Sequence, residues 1–274
     1  MQEAEKLLTE SDSARLDAEL LLSESLDKER SYLYTWPEKE LTSDQLSGFQ
    51  TLLEQRIQGR PIAYILGRQE FWSLPFSVNE HVLIPRPDTE LLVESILSDF
   101  PQEELIMADL GTGSGAIALA LASEKPEWKI IAADISEKAL ACARQNAQDL
   151  TISNVEFLQT NWCEGLPSYD FDLIVSNPPY IEEDDLHLKE GDVRFEPRLA
   201  LVAADKGLED IQSIAKQALS LLKSGGNLYL EHGYQQAKNV RSILAQFGYE
   251  EIQTYKDLSG HDRATRATKA NSQD

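Results

Sequence analysis

The fold of this 274-residue chain is decided by one glycine-rich turn, Asp109-Leu110-Gly111-Thr112-Gly113-Ser114-Gly115. The apolar run before it predicts a strand, and the alanine- and leucine-rich segment after it predicts a helix. Glycines let a backbone approach a ligand closely, and the first amides of a helix carry free N–H groups. The turn therefore predicts a ligand site between a strand and a helix of an α/β sheet.

Strands and helices alternate on both sides of this turn. We predict strands at 105–110, 129–134, 154–158, 171–176, 227–231 and 249–254, and a weak final strand from Arg263 that ends in a frayed tail. Ser136 is a candidate cap for one of the intervening helices, and a helix near 207–222 is predicted to stop at Lys223-Ser224-Gly225-Gly226. This alternation predicts a mostly parallel sheet with helices on both faces.

Residues 1–68 predict a small all-helical bundle, because they lack the β-branched runs of a sheet. Two groups of apolar residues keep helical spacing, Leu16, Leu20, Leu21 and Leu26 in the first, and Leu46, Phe49, Leu53 and Ile57 in the second. Thr42 and Gln45 have the spacing of a capping box. The bundle carries no chemical motif, so it is interpreted as a packing domain or, preferably, as a module that docks a macromolecular substrate.

Residues 69–85 predict a short β-hairpin linker, and residues 86–274 predict the larger, catalytic domain. The linker contains aromatic and β-branched residues around Pro75 and Asn79. Asp88 is a candidate N-cap for the next helix. Arg86 is either a surface residue or a residue that lines the cleft.

The charge of the chain limits the classes of partner. Lys and Arg number 25 and Asp and Glu number 47, so the net charge is −22. This acidity repels phosphate backbones and favours a protein partner or a small ligand over nucleic acid. Cys142 and Cys163 lack metal-ligand spacing, so we expect no metal site, no disulfide and a reducing cytoplasm. Neither a signal peptide nor a membrane span is predicted.

A second motif, Asn177-Pro178-Pro179-Tyr180, follows the strand predicted at 171–176. Ligands bind at the carboxyl ends of strands in open α/β sheets. Asn177 offers a side-chain oxygen, and Pro178 has no N–H, so its carbonyl can face outward. Two such acceptors beside the Tyr180 ring suit a planar –NH2 group. The alternative interpretation is a tight Asn-Pro exit turn.

Residues at the ends of the strands predicted at 129–134 and 154–158 indicate the chemistry of a second ligand. Asp134 ends one strand, where a carboxylate can accept both hydroxyls of a ribose. Trp162 follows the other strand and either packs on an adenine or anchors its own loop; Asn161 could contact a base edge. No Walker lysine follows the glycine turn, which disfavours phosphoryl transfer. A ribose and an adenine beside an amine site predict S-adenosylmethionine as the cofactor.

Together these motifs resemble the class I S-adenosylmethionine-dependent methyltransferases, which act through a Rossmann-like, mostly parallel seven-stranded sheet. Three further segments, 84–90, 191–197 and Glu231-His232-Gly233, narrow the resemblance to the release factor glutamine methyltransferases of the PrmC/HemK family. The helical N-terminal domain is part of this resemblance.

The resemblance implies a role for each motif residue. The cofactor would be bound by Gly111, Thr112, Gly113, Ser114, Gly115, Asp134, Trp162 and Asn177. The substrate amide would be bound by Asn177, Pro178, Pro179 and Tyr180, with catalytic roles for Asn177, Pro178 and Tyr180. The implied reaction is in-line methylation of the side-chain amide nitrogen of the glutamine in the Gly-Gly-Gln motif of peptide chain release factors. The implied protein is a cytoplasmic monomer.

Other functions share parts of this pattern. A methyltransferase for the exocyclic amine of adenine or guanine would use the same tetrapeptide, but the acidity disfavours it. The G-x-G-x-G spacing disfavours a nucleotide-binding oxidoreductase, and the intact acceptors disfavour a catalytically inactive adaptor. The chain departs from the family at Asn161, where Asp is common, and in its polar residues 263–268, which predict a distorted or shortened closing strand.

Overall fold

A computed structural model describes residues 2–9 and 11–271 of the chain. The chain divides into two compact units. The first comprises Met1–Arg68 and Leu186–Phe195, and the second comprises Gln69–Asp185 and Glu196–Asp274. The first unit thus recruits a segment from the middle of the sequence, which sequence patterns did not assign to it. Within the described residues, no helix is both long and apolar enough to cross a membrane.

The first unit is helical. Its helices are α1 (Gln2–Leu7), α2 (Ala14–Leu26), α3 (Arg30–Thr35), α4 (Ser43–Ile57) and α5 (Ile62–Leu66). The capping box is confirmed, because Thr42 Oγ1 accepts the Gln45 amide at 3.3 Å and Gln45 Oε1 accepts the Thr42 amide at 3.0 Å.

Only some of the apolar residues that keep helical spacing in the sequence lie in the core of this unit. Its buried residues are Ala4, Leu8, Ala18, Leu21, Leu22, Phe49 and Leu53. Leu16, Leu46 and Ile57 are exposed, although each keeps helical spacing with residues that are buried. Leu16 lies about 200° around the helix from Ala18, at 3.6 residues per turn, and therefore on the opposite face.

Two buried carboxylates hold the helical unit together. Glu19 accepts hydrogen bonds from Tyr34 Oη and Arg30 Nη2, both at 2.6 Å. Asp17 accepts Arg56 Nε at 2.7 Å, and Arg56 Nη1 also pairs with Asp192 at 2.6 Å. Arg56 thereby joins the recruited segment to the helices of its own unit.

The predicted hairpin is present between β1 (Arg68–Phe71) and β2 (Leu74–Ser77), which form a two-stranded sheet. Trp72 and Ser73 connect the strands with φ of 52° and 58°. Two successive left-handed residues match the twist of paired strands.

The second unit contains a doubly wound sheet. Within the described residues its strands are β3 (Ile106–Leu110), β4 (Lys129–Asp134), β5 (Val155–Gln159), β6 (Phe171–Ser176), β7 (Leu222–Glu231), β8 (Tyr249–Lys256) and β9 (Asp262–Lys269). Their order is β5-β4-β3-β6-β7-β9-β8; β9 runs antiparallel to both β7 and β8, and the other adjacent pairs are parallel. The order reverses between β3 and β6, and this is the position where ligands bind in such folds.

Helices cover both faces of the sheet. They are α6 (Glu90–Asp99), α7 (Ala116–Glu124), α8 (Glu137–Asp149), α9 (Ala204–Gly207), α10 (Glu209–Ala218) and α11 (Ala237–Gln246). Leu173 and Val175 pack in one buried cluster with α6 and α7, whereas Ile174 packs in the other with α10 and α11. Successive side chains of a strand point to opposite faces, so β6 is buried on both sides.

Two predicted helix boundaries are wrong. Residues 223–226 lie inside β7 rather than in a helix stop. The register shifts there between Phe171 and Leu173, and a Cβ on Gly226 would lie 2.9 Å from the carbonyl oxygens of Lys223 and Phe171. Glycine therefore permits a bulge. Asp88 does not cap α6, because a 3₁₀ turn (Pro87–Thr89) precedes the helix and Asp88 pairs with Arg263 at 3.1 Å.

The closing strand β9 is not shortened, in contrast to the expectation from its polarity. Thr265 Oγ1 bonds His232 Nε2 at 2.9 Å, and Arg266 Nε donates to Asn227 Oδ1 at 2.8 Å. Its pairing with β7 is regular, whereas its pairing with β8 is irregular at two points. Polar strand residues are accommodated here because each of these side chains finds a polar partner.

Candidate active site

A cavity of about 300 Å³ lies at the carboxyl ends of β3, β4 and β6 in the second unit. The predicted residues that line it are Gly111, Thr112, Gly113, Ser114, Asp134, Trp162, Asn177 and Pro179. Gly115, Pro178 and Tyr180, which the structure also describes, lie outside the lining. The remaining walls are largely apolar and include Pro85, Ile135, Leu199 and Val202.

The glycine turn is held by the neighbouring strand and opens toward the cavity. The amides of Gly111 and Thr112 donate to the Ala133 carbonyl at 2.8 and 2.9 Å. A Cβ built on Gly113 would meet only the Gly111 carbonyl oxygen, at 4.0 Å, among the described atoms. Gly115 is a packing position instead, because its Cβ would lie 3.0 Å from Leu119.

Asp109 lies buried beneath the turn and was not singled out as a site residue from the sequence. Its Oδ2 accepts Thr112 Oγ1 at 2.7 Å and the Ala118 amide at 3.2 Å. Its Oδ1 has no hydrogen-bond partner among the described residues. Burial, with a smaller contribution from the charge of Asp134, raises the pKa of Asp109 to about 7. Asp109 therefore fixes the turn and keeps one acceptor unused.

Asp134 is anchored by two backbone amides. Its Oδ1 accepts the Ser136 amide at 2.8 Å, and its Oδ2 accepts the Gly113 amide at 2.9 Å. Burial raises the pKa of this carboxyl above its usual value. Each carboxylate oxygen has a further lone pair, so the side chain can still accept the two hydroxyls of a ribose.

Trp162 is held against the glycine turn in a left-handed backbone conformation, with φ of 48°. Its Nε1 donates to Asp210 Oδ1 at 3.2 Å. A Cβ on Gly111 would lie 3.2 Å from Cζ3 of the indole. A side chain at this position would therefore push against the Trp162 ring. Asn161 also lines the cavity. The arrangement places a flat aromatic surface beside the turn.

Asn177 presents one side of its amide to a buried hydroxyl. Its Nδ2 donates to Thr89 Oγ1 at 3.2 Å. Because the nitrogen is engaged there, the amide oxygen is the part that is available to the cavity. Thr89 precedes α6 and lines the same cavity, and sequence reasoning did not find it because a lone threonine carries no motif.

The rest of the tetrapeptide is fixed by contacts behind the cavity. The Tyr180 hydroxyl donates to Glu231 Oε1 at 3.3 Å, and the Tyr180 carbonyl accepts Gln236 Nε2 at 3.0 Å. Pro178 and Pro179 are buried. A Cβ on Gly207 would lie 2.0 Å from the Tyr180 carbonyl oxygen, so this backbone contact requires glycine.

Arg86 and Arg194, which come from two of the segments that carry the family resemblance, lie in different units. Arg86 lines the cavity and forms an ion pair with buried Glu196, whose Oε2 accepts the Ile84 amide at 3.1 Å. Arg194 belongs to the first unit, where its guanidinium lies 5.2 Å from the centre of the Phe195 ring. The segment 191–197 is therefore divided between the two units.

His232 and the two thiols are buried and do not line the cavity. His232 is buried, and its ring nitrogens contact Gly233 O at 3.0 Å and Thr265 Oγ1 at 2.9 Å. Cys142 and Cys163 are free and buried, and burial raises their pKa to about 11 and about 12. Thiols with such raised pKa values are poor nucleophiles near neutral pH.

The strand order and the open glycine turn, with a carboxylate at the next strand end, define a class I S-adenosylmethionine-dependent methyltransferase. Residues 101–268 match the family model of a methyltransferase domain, and residues 1–67 match that of the PrmC N-terminal domain. The crystal structure of a methyltransferase from Pyrococcus furiosus has a TM-score of 0.56 at 16% identity, over 81% of this chain and 99% of that one. It shares the fold.

Curated relatives cover nearly the whole length of the chain. The release factor glutamine methyltransferase of Shewanella oneidensis is 53% identical over 260 residues, which is 95% of this chain and 91% of the relative. The release factor glutamine methyltransferase of Escherichia coli is 48% identical over 265 residues, 97% and 96% of the two chains. The chain belongs to the release factor glutamine methyltransferase family, which confirms the resemblance noted in its motifs.

Proposed function

We propose that this protein transfers a methyl group to the side-chain amide nitrogen of the glutamine in the Gly-Gly-Gln motif of peptide chain release factors. The names of its relatives support the substrate class. The structural observation that carries the proposal is the orientation of the Asn177 amide, whose nitrogen bonds Thr89 and whose oxygen is left for the cavity.

The cavity residues fit S-adenosylmethionine, which supplies an electrophilic methyl group when bound. The glycine turn offers backbone that a ligand can approach closely, and Asp134 offers two oxygens for the ribose. The indole of Trp162 offers a flat surface for the adenine. Beneath the same turn, Asp109 Oδ1 has no hydrogen-bond partner among the described residues.

Asn177 would accept one N–H group of the substrate amide, and the family resemblance assigns the other to the Pro178 carbonyl, although Pro178 lies outside the cavity lining. An amide nitrogen is a poor nucleophile because its lone pair is delocalised into the carbonyl. Two acceptors orient this nitrogen and stabilise the positive charge that develops on it in the transition state. Positioning of the reactants contributes further, up to roughly 7–11 kcal/mol in well-oriented systems. Tyr180 and Pro179 complete the site.

The proposal extends to the setting of the reaction. The helical unit would help to dock the release factor, and the enzyme would act as a monomer in the cytoplasm. The net charge of −22 supports a protein substrate over nucleic acid.

A methyl-transfer assay with labelled S-adenosylmethionine tests the substrate. Release factor, DNA and RNA are offered separately, together with a release factor in which the glutamine of the motif is replaced by alanine. We expect label in the unaltered release factor alone. Label in DNA or RNA would replace the proposal with a nucleobase amine methyltransferase, and equal label in the altered factor would exclude the glutamine as the acceptor.

A further inference from the structure

Two hydrogen bonds fasten the loop that carries Trp162 to one helix of the second unit. Asp210, in the first turn of α10, accepts Trp162 Nε1 through Oδ1 at 3.2 Å. Gln217, two turns further along α10, accepts the backbone amide of Cys163 through Oε1 at 3.1 Å. Residues seven apart lie on the same face of a helix. α10 therefore presents two acceptors to two successive residues of this loop.

The helix that supplies these acceptors is itself fixed to the sheet. One face of α10 lies in the apolar cluster on one side of the strands, through Ile211, Ile214, Ala215 and Ala218. Asp210 lies beside this face and is half-buried. A side chain on a packed helix holds a contact more precisely than a side chain on a loop.

The indole of Trp162 is held at both of its ends. Its Nε1, on the five-membered ring, is bound by Asp210. Its Cζ3, on the far side of the six-membered ring, lies 3.2 Å from the position of a Cβ on Gly111. A contact at each end leaves the ring little freedom to rotate.

The bond between Trp162 and Asp210 has one direction. The indole nitrogen can only donate, and a carboxyl group offers an acceptor oxygen whether it is ionised or protonated. Burial raises the pKa of Asp210, whereas the hydrogen bond from Trp162 lowers it. Because either form can accept, the bond does not depend on the charge of Asp210. Both side chains line the cavity, so the bond fixes the shape of its wall.

We propose that Asp210 is a positioning residue for the cofactor, which holds the Trp162 indole in the orientation in which an adenine packs on it. A side chain that is ordered before binding loses little freedom when the ligand arrives, so the ligand binds more tightly. The inference rests on the proposed contact between Trp162 and the adenine. It assigns Asp210 no contact of its own with the cofactor.

The test measures the affinity of full-length variants for S-adenosylhomocysteine by calorimetry, which requires no turnover. Asp210→Ala should bind roughly 3- to 10-fold more weakly, within the range for ordering one side chain on binding. Asp210→Asn keeps an acceptor oxygen and should retain most of the affinity. Glu209→Ala is the matched control, because it removes an exposed carboxylate from the same helical turn outside the cavity lining, and it should bind normally.

A double-mutant cycle separates positioning of the indole from other effects of the substitution. Trp162→Phe keeps an aromatic surface but has no N–H, so Asp210→Ala should cause little further loss in this background. Equal loss in both backgrounds would overturn the proposal, and so would normal affinity of Asp210→Ala. A loss in Asp210→Asn as large as in Asp210→Ala would also overturn it, because the charge rather than the acceptor would then be responsible.

Thermal unfolding shows whether each variant is folded at the temperature of the assay. If Asp210→Ala is not, Asp210→Ser takes its place in the cycle, with the same outcomes deciding. Normal affinity of Trp162→Ala would instead refute the proposed adenine contact, independently of Asp210.

Discussion

The Asp134 carboxylate accepts the backbone amide of Gly113 at 2.9 Å. A side chain at the end of β4 therefore fastens the glycine turn that follows β3. The residue expected to bind the ribose also sets the position of the turn that borders the same ligand. Loss of this carboxylate should affect the cofactor site twice, through the missing acceptor and through the loosened turn.

Asp134→Ala should weaken the affinity for S-adenosylmethionine by roughly 10- to 100-fold or more, because hydrogen bonds to a charged group are lost. Isothermal calorimetry checks this prediction. Asp170→Ala removes an exposed aspartate outside the cavity and should bind normally. Unchanged affinity in Asp134→Ala would remove this residue from the cofactor site.

Asn177→Ala should leave the fold intact and lower turnover by roughly 100- to 1000-fold, which corresponds to about 2.7–4 kcal/mol for one lost transition-state acceptor. Single-turnover methyl transfer to release factor measures the effect, with thermal unfolding as the check on the fold. A near-normal rate in a folded variant would refute the acceptor role.

Trp162→Ala should reduce cofactor affinity, and Trp162→Phe should restore part of it, because a phenyl ring keeps a flat surface beside the glycine turn. We expect a loss of roughly 10-fold for alanine, within the range for an aromatic contact with a base. Trp36→Ala changes an exposed tryptophan of the helical unit and serves as the control in the same calorimetric assay. If all three variants bind equally, Trp162 only anchors its loop.

Gly207→Ala should lower turnover sharply, because the new Cβ would lie 2.0 Å from the Tyr180 carbonyl oxygen and displace the tetrapeptide. Gly248→Ala is a matched control, since its φ of 86° is as strained while no described atom lies within 4 Å of its Cβ. Both variants carry the backbone cost of a positive φ, about 1 kcal/mol or more. The activity ratio between them reports the contact with Tyr180, and equal activities would show that this contact is not required.

The motifs of the site could be predicted because each is local in sequence. The glycine turn, Asp134 and the tetrapeptide all follow short apolar runs whose strand pattern was correct. Their partners could not be predicted, because Thr89 lies 88 positions from Asn177 and Asp210 lies 48 positions from Trp162. Such pairs are formed by the strand order, which no local pattern specifies.

The errors in the fold have a similar origin. Gly225 and Gly226 have the local signature of a helix stop, but tertiary pairing places them in the bulge of β7. The polar residues of β9 predict a weak strand, but partners such as Asn227 and His232 supply their hydrogen bonds. In both cases long-range contacts override the local preference.

Acid should destabilise the helical unit through Glu19. Hydrogen bonds from Tyr34 and Arg30 lower its pKa from 4.5 to about 2. A lowered pKa stabilises the folded state above pH 4.5, and this contribution is lost as the pH falls toward 2. Glu19→Gln should therefore cost about 1–2 kcal/mol at neutral pH and much less near pH 2. Chemical unfolding at both pH values checks this, and an equal cost at both would contradict it.

The most direct test of the central claim is mass spectrometry of release factor after incubation with this protein and S-adenosylmethionine. We expect a mass increase of one methyl group on the peptide that contains Gly-Gly-Gln, with fragment ions that locate it on the glutamine side chain. At an early time point, where the unaltered protein has modified most of the peptide, we expect Asn177→Ala to have modified only about one hundredth as much or less. An unmodified Gly-Gly-Gln peptide, or a methyl group on another residue of the factor, would contradict the account.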